Sequence, residues 1–154
     1  MKLRLHKVHD GITPSLARLA VKARNTRLAM RQGGMAAVSL TKRSFGDASL
    51  RVATWPPLKA STLAARRRKR YASAPLRASG HLWQSIRVID ATDRSVTIGS
   101  DRREGSYSVA AIHQLGAPRA GIPARPFFPF KSDGRATALA RERIEMAIRR
   151  ALRF

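Results

Sequence analysis

Residues 110–130 read A-A-I-H-Q-L-G-A-P-R-A-G-I-P-A-R-P-F-F-P-F, and no other stretch so narrows what the chain can fold into. The segment holds prolines at 118, 123, 126 and 129, glycines at 116 and 121, phenylalanines at 127, 128 and 130, and no acid. Proline lacks a backbone donor and glycine weakens regular structure, so after a short apolar run the chain must travel here as a shaped, extended loop, expected over 116–131. Three phenylalanines on such a loop need burial. One placing sends one or two of them into the core of the same domain, under the last helix. The other leaves at least one as an anchor for a neighbouring subunit, where aromatics and arginine are favoured.

A chain of 154 residues suits one domain, 1–154, and 44% hydrophobic residues suffice for a modest core. The formal charge of +22, from 31 Lys+Arg against 9 Asp+Glu, loosens a compact monomer by self-repulsion. A polyanion or an acidic protein surface is the expected neighbour. With no cysteine there is no disulfide framework and no thiolate metal site, which fits a reducing cytoplasm. No apolar run is long enough to span a bilayer and no signal-peptide core is visible, so no membrane partner is expected.

Thr13-Pro14 supplies a cap and a first-turn proline for a long N-terminal helix. Leu16, Leu19, Ala20, Ala23 and Met30 give it a partial stripe to about Arg31, and Gly33-Gly34 is expected to end it. Residues 35–54 give mixed signals. Trp55-Pro56-Pro57-Leu58 forms a rigid, non-helical corner. Ser61 or Thr62 then caps a short helix from Leu63 to Arg70, within a basic segment over 59–77. Residues 48–89 contain no acid. After the turn at Ser79-Gly80, residues 81–86 read as one helical turn leading into a strand around Ile86 and Val88. Ala91-Thr92-Asp93-Arg94 has hairpin length and chemistry, and Val96 and Ile98 alternate as a second strand. A third strand is expected over 107–115. A closing helix, capped by Ser132 or Asp133, runs to about Leu152, roughly 30 Å in length. The fold class is α+β: a small antiparallel sheet of three or four strands packed with a long helix at each end.

Catalytic patterns find little support. His6, His9, His81 and His113 fall in no metal-binding or catalytic spacing, and the nine acids form no obvious pair. His6 and His9 share a helical face, which is more often solvated than metal-bound. His113 is read as structural, with its ring bonded to a loop backbone. No cofactor is expected. The run Arg66, Arg67, Arg68, Lys69 and Arg70, with Arg24, Arg27 and Arg31 on the first helix, suits phosphates or an acidic partner. Trp55 and Trp83 are not interleaved with that run, so sequence readout is not implied.

Four patches occur in order: Trp55-Pro56-Pro57-Leu58 with Ser61-Thr62-Leu63; Ser79-Gly80-His81-Leu82 with Ser85-Ile86; Ile112-His113-Gln114-Leu115-Gly116; and Ile122-Pro123-Ala124-Arg125-Pro126-Phe127. Together they resemble the phage virion morphogenesis family, the tail-completion or neck proteins typified by the Mu-like G protein. The resemblance implies a non-enzymatic structural protein that joins an assembled tail to the head-side connector, as a ring of identical subunits around the DNA channel, a hexamer being one form. Implied partners are connector or head-closure proteins and tail-tube or terminator proteins, with non-specific contact to genomic DNA. The implied location is the head-tail junction of the virion, and the host cytoplasm during assembly. The expected subunit or partner interface comprises Trp55, Pro56, Pro57, Leu58, His113, Gln114, Ile122, Pro123, Arg125, Pro126, Phe127 and Phe128. The alternatives are a terminator capping the tail tube and a free basic nucleic-acid-binding protein using Arg66 to Arg70.

Overall fold

The computed structural model describes residues 12–131 and 133–152, with side chains from residue 26 onward. Helix α1 (Ile12–Ser44, 33 residues) forms the central strut. It runs straight through Gly33-Gly34, where the sequence suggests a stop. The physical reason is close packing. A Cβ on Gly33 would stand 2.8 Å from Ile148 Cγ1, and one on Gly34 would stand 2.5 Å from Val96 Cγ2. Neighbouring positions on a helix point to different sides, so the two glycines let two different elements approach one helix. The actual end comes at Phe45-Gly46, where the amides of Gly46 and Asp47 both bond the Arg43 carbonyl at 3.0 and 2.9 Å. Lys42 and Arg43 in the last turn suit the negative end of the helix dipole. A cap at Thr13 and the stripe at Leu16, Leu19, Ala20 and Ala23 lie outside the described side chains, as do His6, His9 and Arg24.

After a 3-10 turn at Ala48–Leu50, whose amide at Ser49 bonds the Asp47 carboxylate, the chain passes the extended corner at 55–58. Helix α2 spans Ala60–Arg68, three residues earlier in its start than expected, so Ser61 and Thr62 lie inside it. The short α3 (His81–Ser85) leads directly into β1 (Ile86–Ala91), which pairs antiparallel with β2 (Val96–Ser100). Val88 faces Ile98 and Ala91 faces Val96, with a bulge at Ile89. The turn is held by Thr92, whose amide bonds the Ser95 carbonyl at 2.8 Å and whose hydroxyl accepts from the Ser95 amide at 3.0 Å. This hairpin packs on the Gly34 side of α1.

Two-residue strands β3 (Arg103–Glu104) and β4 (Tyr107–Ser108) form a second, separate hairpin. The four strands therefore make two small antiparallel sheets where one sheet was expected. The long third strand is replaced by helix α4 (Val109–Leu115). Its ends explain the difference: the Ser108 hydroxyl accepts from the Ala111 amide, and Gly116, at φ +81°, closes it. Helix α5 (Ala138–Leu152) is shorter than expected, about 22 Å, because Thr137 rather than Asp133 caps it through the Ala140 amide at 3.3 Å. Its Ile144 and Ile148 meet α1 over Gly33, and Ala140 is fully buried. The aromatic core lies elsewhere, at the far end of α1. Phe45, Trp55, Leu76, Leu82, Ile86, Ala110 and Phe127 form it, flanked by Val38, Val109 and Phe128.

Candidate functional site

The loop over 116–131 is tied down along its length, and its own chemistry does the tying. Gly116 must be glycine twice over: its φ is positive, and a Cβ would stand 2.8 Å from the Ala124 amide nitrogen. From there Ala117 and Ile122 pair reciprocally at 2.8 and 3.1 Å around a 3-10 turn at Pro118–Ala120. The chain then doubles back along α4. The Arg125 amide bonds the His113 carbonyl at 2.7 Å, and the Gln114 Oε1 accepts from the amides of Phe127 and Phe128 at 3.0 and 3.1 Å. One side chain thus satisfies two amides in a segment whose prolines prevent a regular ladder.

Beyond α4 the same loop grips the proline corner. Trp55 Nε1 donates to the Pro126 carbonyl at 2.8 Å. Arg125 returns the contact, with Nε on the Pro56 carbonyl at 3.0 Å and Nη2 on that of Pro57 at 3.1 Å. Arg51 lies 4.0 Å over the Trp55 ring and bonds the Ser44 carbonyl at 2.9 Å. Ser44 in turn donates to the Phe127 carbonyl at 3.1 Å. Phe127 is 1% exposed, edge-on to Phe45 at 5.4 Å and 4.6 Å from Phe128, while Phe45 meets Trp55 edge-on at 5.9 Å. Phe127 is therefore buried in its own chain, in a cluster that draws no residue from the last helix. Phe128 and Phe130 are half-buried, and Phe130 bridges to Ala136.

Burial divides the expected interface residues into three sets. Trp55, Arg125 and Phe127 are buried, Leu58, His113, Gln114, Ile122, Pro126 and Phe128 half-buried, and Pro56, Pro57 and Pro123 exposed. Truncating a buried phenylalanine to alanine costs about 3–5 kcal/mol, so the buried set holds the scaffold whatever else it does. Leu115, at the end of α4, is also exposed, at 77%. Composition gave no warning of it, since a leucine inside an apolar run reads as core. Phe45, Ser44 and Arg51 were also illegible beforehand; the one available signal was Gly46 following two basic residues.

His113 departs from its expected role. It lies on α4, its carbonyl makes the loop contact, and its buried ring Nδ1 has no hydrogen-bond partner among the described residues. Burial first, then the charges of Arg125 and Arg66, hold its pKa below the ordinary histidine value. In the basic run, Arg66 is half-buried, with Nη1 on the carbonyls of Ala72 and Ala74 at 2.9 and 2.7 Å. Burial lowers its pKa, though a guanidinium stays charged. Arg67, Arg68, Lys69 and Arg70 are exposed, as are Arg27 and Arg31 on α1. Trp83 packs separately, donating to the Lys42 carbonyl at 3.1 Å beneath the Lys42 ammonium. Among the described residues no group of three or more His, Asp or Glu is placed to hold a metal ion, and no helix is long and apolar enough to cross a membrane.

A model of the phage virion morphogenesis family matches residues 8–153. No curated protein and no solved structure matches the chain.

Proposed function

Because the chain belongs to the phage virion morphogenesis family, with the structural role in phage virions that membership carries, we propose that it completes the tail and joins it to the head-side connector as a ring subunit around the DNA channel. The family match across residues 8–153 is the observation that carries this reading. The site adds a physical reason. A ring needs two complementary surfaces on every subunit, presented in a fixed geometry. The loop over 116–131 is clamped by Gln114, Trp55 and Arg125, and its exposed Pro118 and Pro123, with exposed Leu115 just before it at the end of α4, are open to a neighbour. Exposed Arg67, Arg68, Lys69 and Arg70 suit a wall that faces DNA. A terminator role at the end of the tail tube would use the same surfaces on a different neighbour.

The discriminating experiment replaces Leu115 by Arg in the phage. Leu115 buries little within the subunit, so the purified variant should unfold within about 0.5 kcal/mol of the parent. Lysates should then contain unjoined heads and tails by electron microscopy, and the purified parent but not the variant should form rings. Normal infectivity of the variant, with joined particles, would exclude this surface from assembly.

A further inference from the structure

Between the proline corner, α2, the end of the second hairpin and the 121–125 part of the loop lies a cavity of about 510 Å³. Its volume falls in the range of small-ligand and side-chain pockets. Pro57, Leu58, Ile122 and Pro123 contribute apolar wall, while Lys59, Arg66, Arg102 and Arg125 bring four cations against one acid, Glu104. Arg125 is 6% exposed, and two of its guanidinium nitrogens are used on the Pro56 and Pro57 carbonyls. Its Nη1 makes no hydrogen bond among the described residues. Arg66 likewise commits only Nη1, leaving Nε and Nη2. The two guanidiniums feel each other, since the charge of Arg66 adds to burial in lowering the Arg125 pKa. A buried fork with an unused donor, beside a second cation and inside apolar walls, is built for a carboxylate.

We propose that this cavity docks an acidic, apolar-flanked peptide segment of another virion protein, with one carboxylate seated on Arg125 Nη1 and Arg66 and its neighbouring side chain against Pro123 and Ile122. The identity of the partner as a virion protein rests on the assembly role proposed above; the chemistry of the pocket does not. A concave pocket of this size favours a peptide over duplex DNA. Duplex phosphates are carried on a convex surface far wider than the cavity, and they find their match in the exposed Arg67 to Arg70 run.

The test uses the purified full-length chain and a capped Leu-Glu-Leu-Glu-Leu-Glu peptide, its Leu-Gln counterpart, and a 16-base-pair duplex. Calorimetry at 150 mM salt should show the acidic peptide binding at least tenfold more tightly than the glutamine peptide. The double variant Lys59→Gln/Arg102→Gln should weaken it at least tenfold, whereas Arg67→Gln/Arg68→Gln, which removes equal charge outside the cavity, should change it less than twofold. All four residues are exposed, so both variants keep the fold, checked by thermal melting. Equal binding of the two peptides, equal loss in the two double variants, or displacement of the peptide by the duplex would each overturn the proposal. The binding assay needs neither rings nor tails, so its failure leaves the joining role standing, and a failure to join heads and tails leaves the peptide result intact.

Discussion

Gln114 offers the cleanest measure of how the loop is held. Its Oε1 accepts two backbone amides, of Phe127 at 3.0 Å and Phe128 at 3.1 Å, and both belong to a part-buried segment. In Gln114→Met the side chain keeps its length and apolar stem but loses the acceptor. Each amide is then stranded, and a buried donor left unmade costs about 1–3 kcal/mol. Two together give about 2–6 kcal/mol, a large part of the roughly 5–15 kcal/mol that holds a domain folded. For a chain of this size each kcal/mol shifts Tm by about 2–4 °C, so Gln114→Met should melt about 4–24 °C below the parent. Gln114→Glu keeps the acceptor and adds charge assistance to both amide bonds, so it should melt within about 4 °C of the parent. The assay is circular dichroism on heating, backed by urea titration at unchanged m-value. A Met variant as stable as the parent, or a Glu variant that falls as far as Met, would refute the dual-acceptor role.

Two further outcomes follow from the geometry. Gly34→Ala adds a methyl that would stand 2.5 Å from Val96 Cγ2 and 3.0 Å from Val88 Cγ2, both on stiff β-branched side chains. Overpacking of about 1–3 kcal/mol should outweigh the roughly 1 kcal/mol of helix propensity gained, whereas Gly46→Ala, which meets nothing closer than 3.9 Å, should be neutral; urea midpoints decide, and a stabilised Gly34→Ala would sink the close-packing account. The depressed pKa of His113 means that the unfolded chain takes up a proton before the folded one does. Its effect on stability is nil above about pH 6.5 and grows more adverse as pH falls from there towards the folded-state value. Urea midpoints should thus drop between pH 7.5 and 5.5, and His113→Gln should flatten that slope; an unchanged slope would mean that another group carries it.

Much of the fold was legible where local chemistry and packing agree. The hairpin of β1 and β2 was readable because its alternation, its Thr-Asp turn and its buried face all say the same thing. The proline corner was readable because proline restricts its predecessor whatever surrounds it. Legibility failed at Gly33-Gly34 because a glycine pair after basic residues looks the same whether it stops a helix or lets two elements approach it. Only the distance to Ile148 and Val96 separates the two meanings, and that distance is a tertiary fact. It failed again at α4, where the seven-residue run from Val109 is too short for its period to be read and only the caps at Ser108 and Gly116 identify it.

The site shows a deeper limit of the same kind. Proline, arginine and aromatic residues in a fixed order mark the segments near 55 and near 125 as contact-forming, and in the structure Trp55 meets Pro126 across 71 positions of sequence. Composition cannot say whether such a meeting lies within a subunit or between two, because a subunit interface and a domain core bury the same residue types by the same physics. Here the Trp55, Arg125 and Phe127 contacts lie within the chain, and that changes how the segment can serve assembly. Once Arg125 holds both proline carbonyls and Gln114 holds both phenylalanine amides, little of the loop's conformational entropy remains to be lost on docking. A neighbour meeting Leu115 and Pro123, as proposed above, would bind a surface already set. On the proposed joining role, the buried half of the family pattern would then serve assembly by fixing that surface without touching the partner.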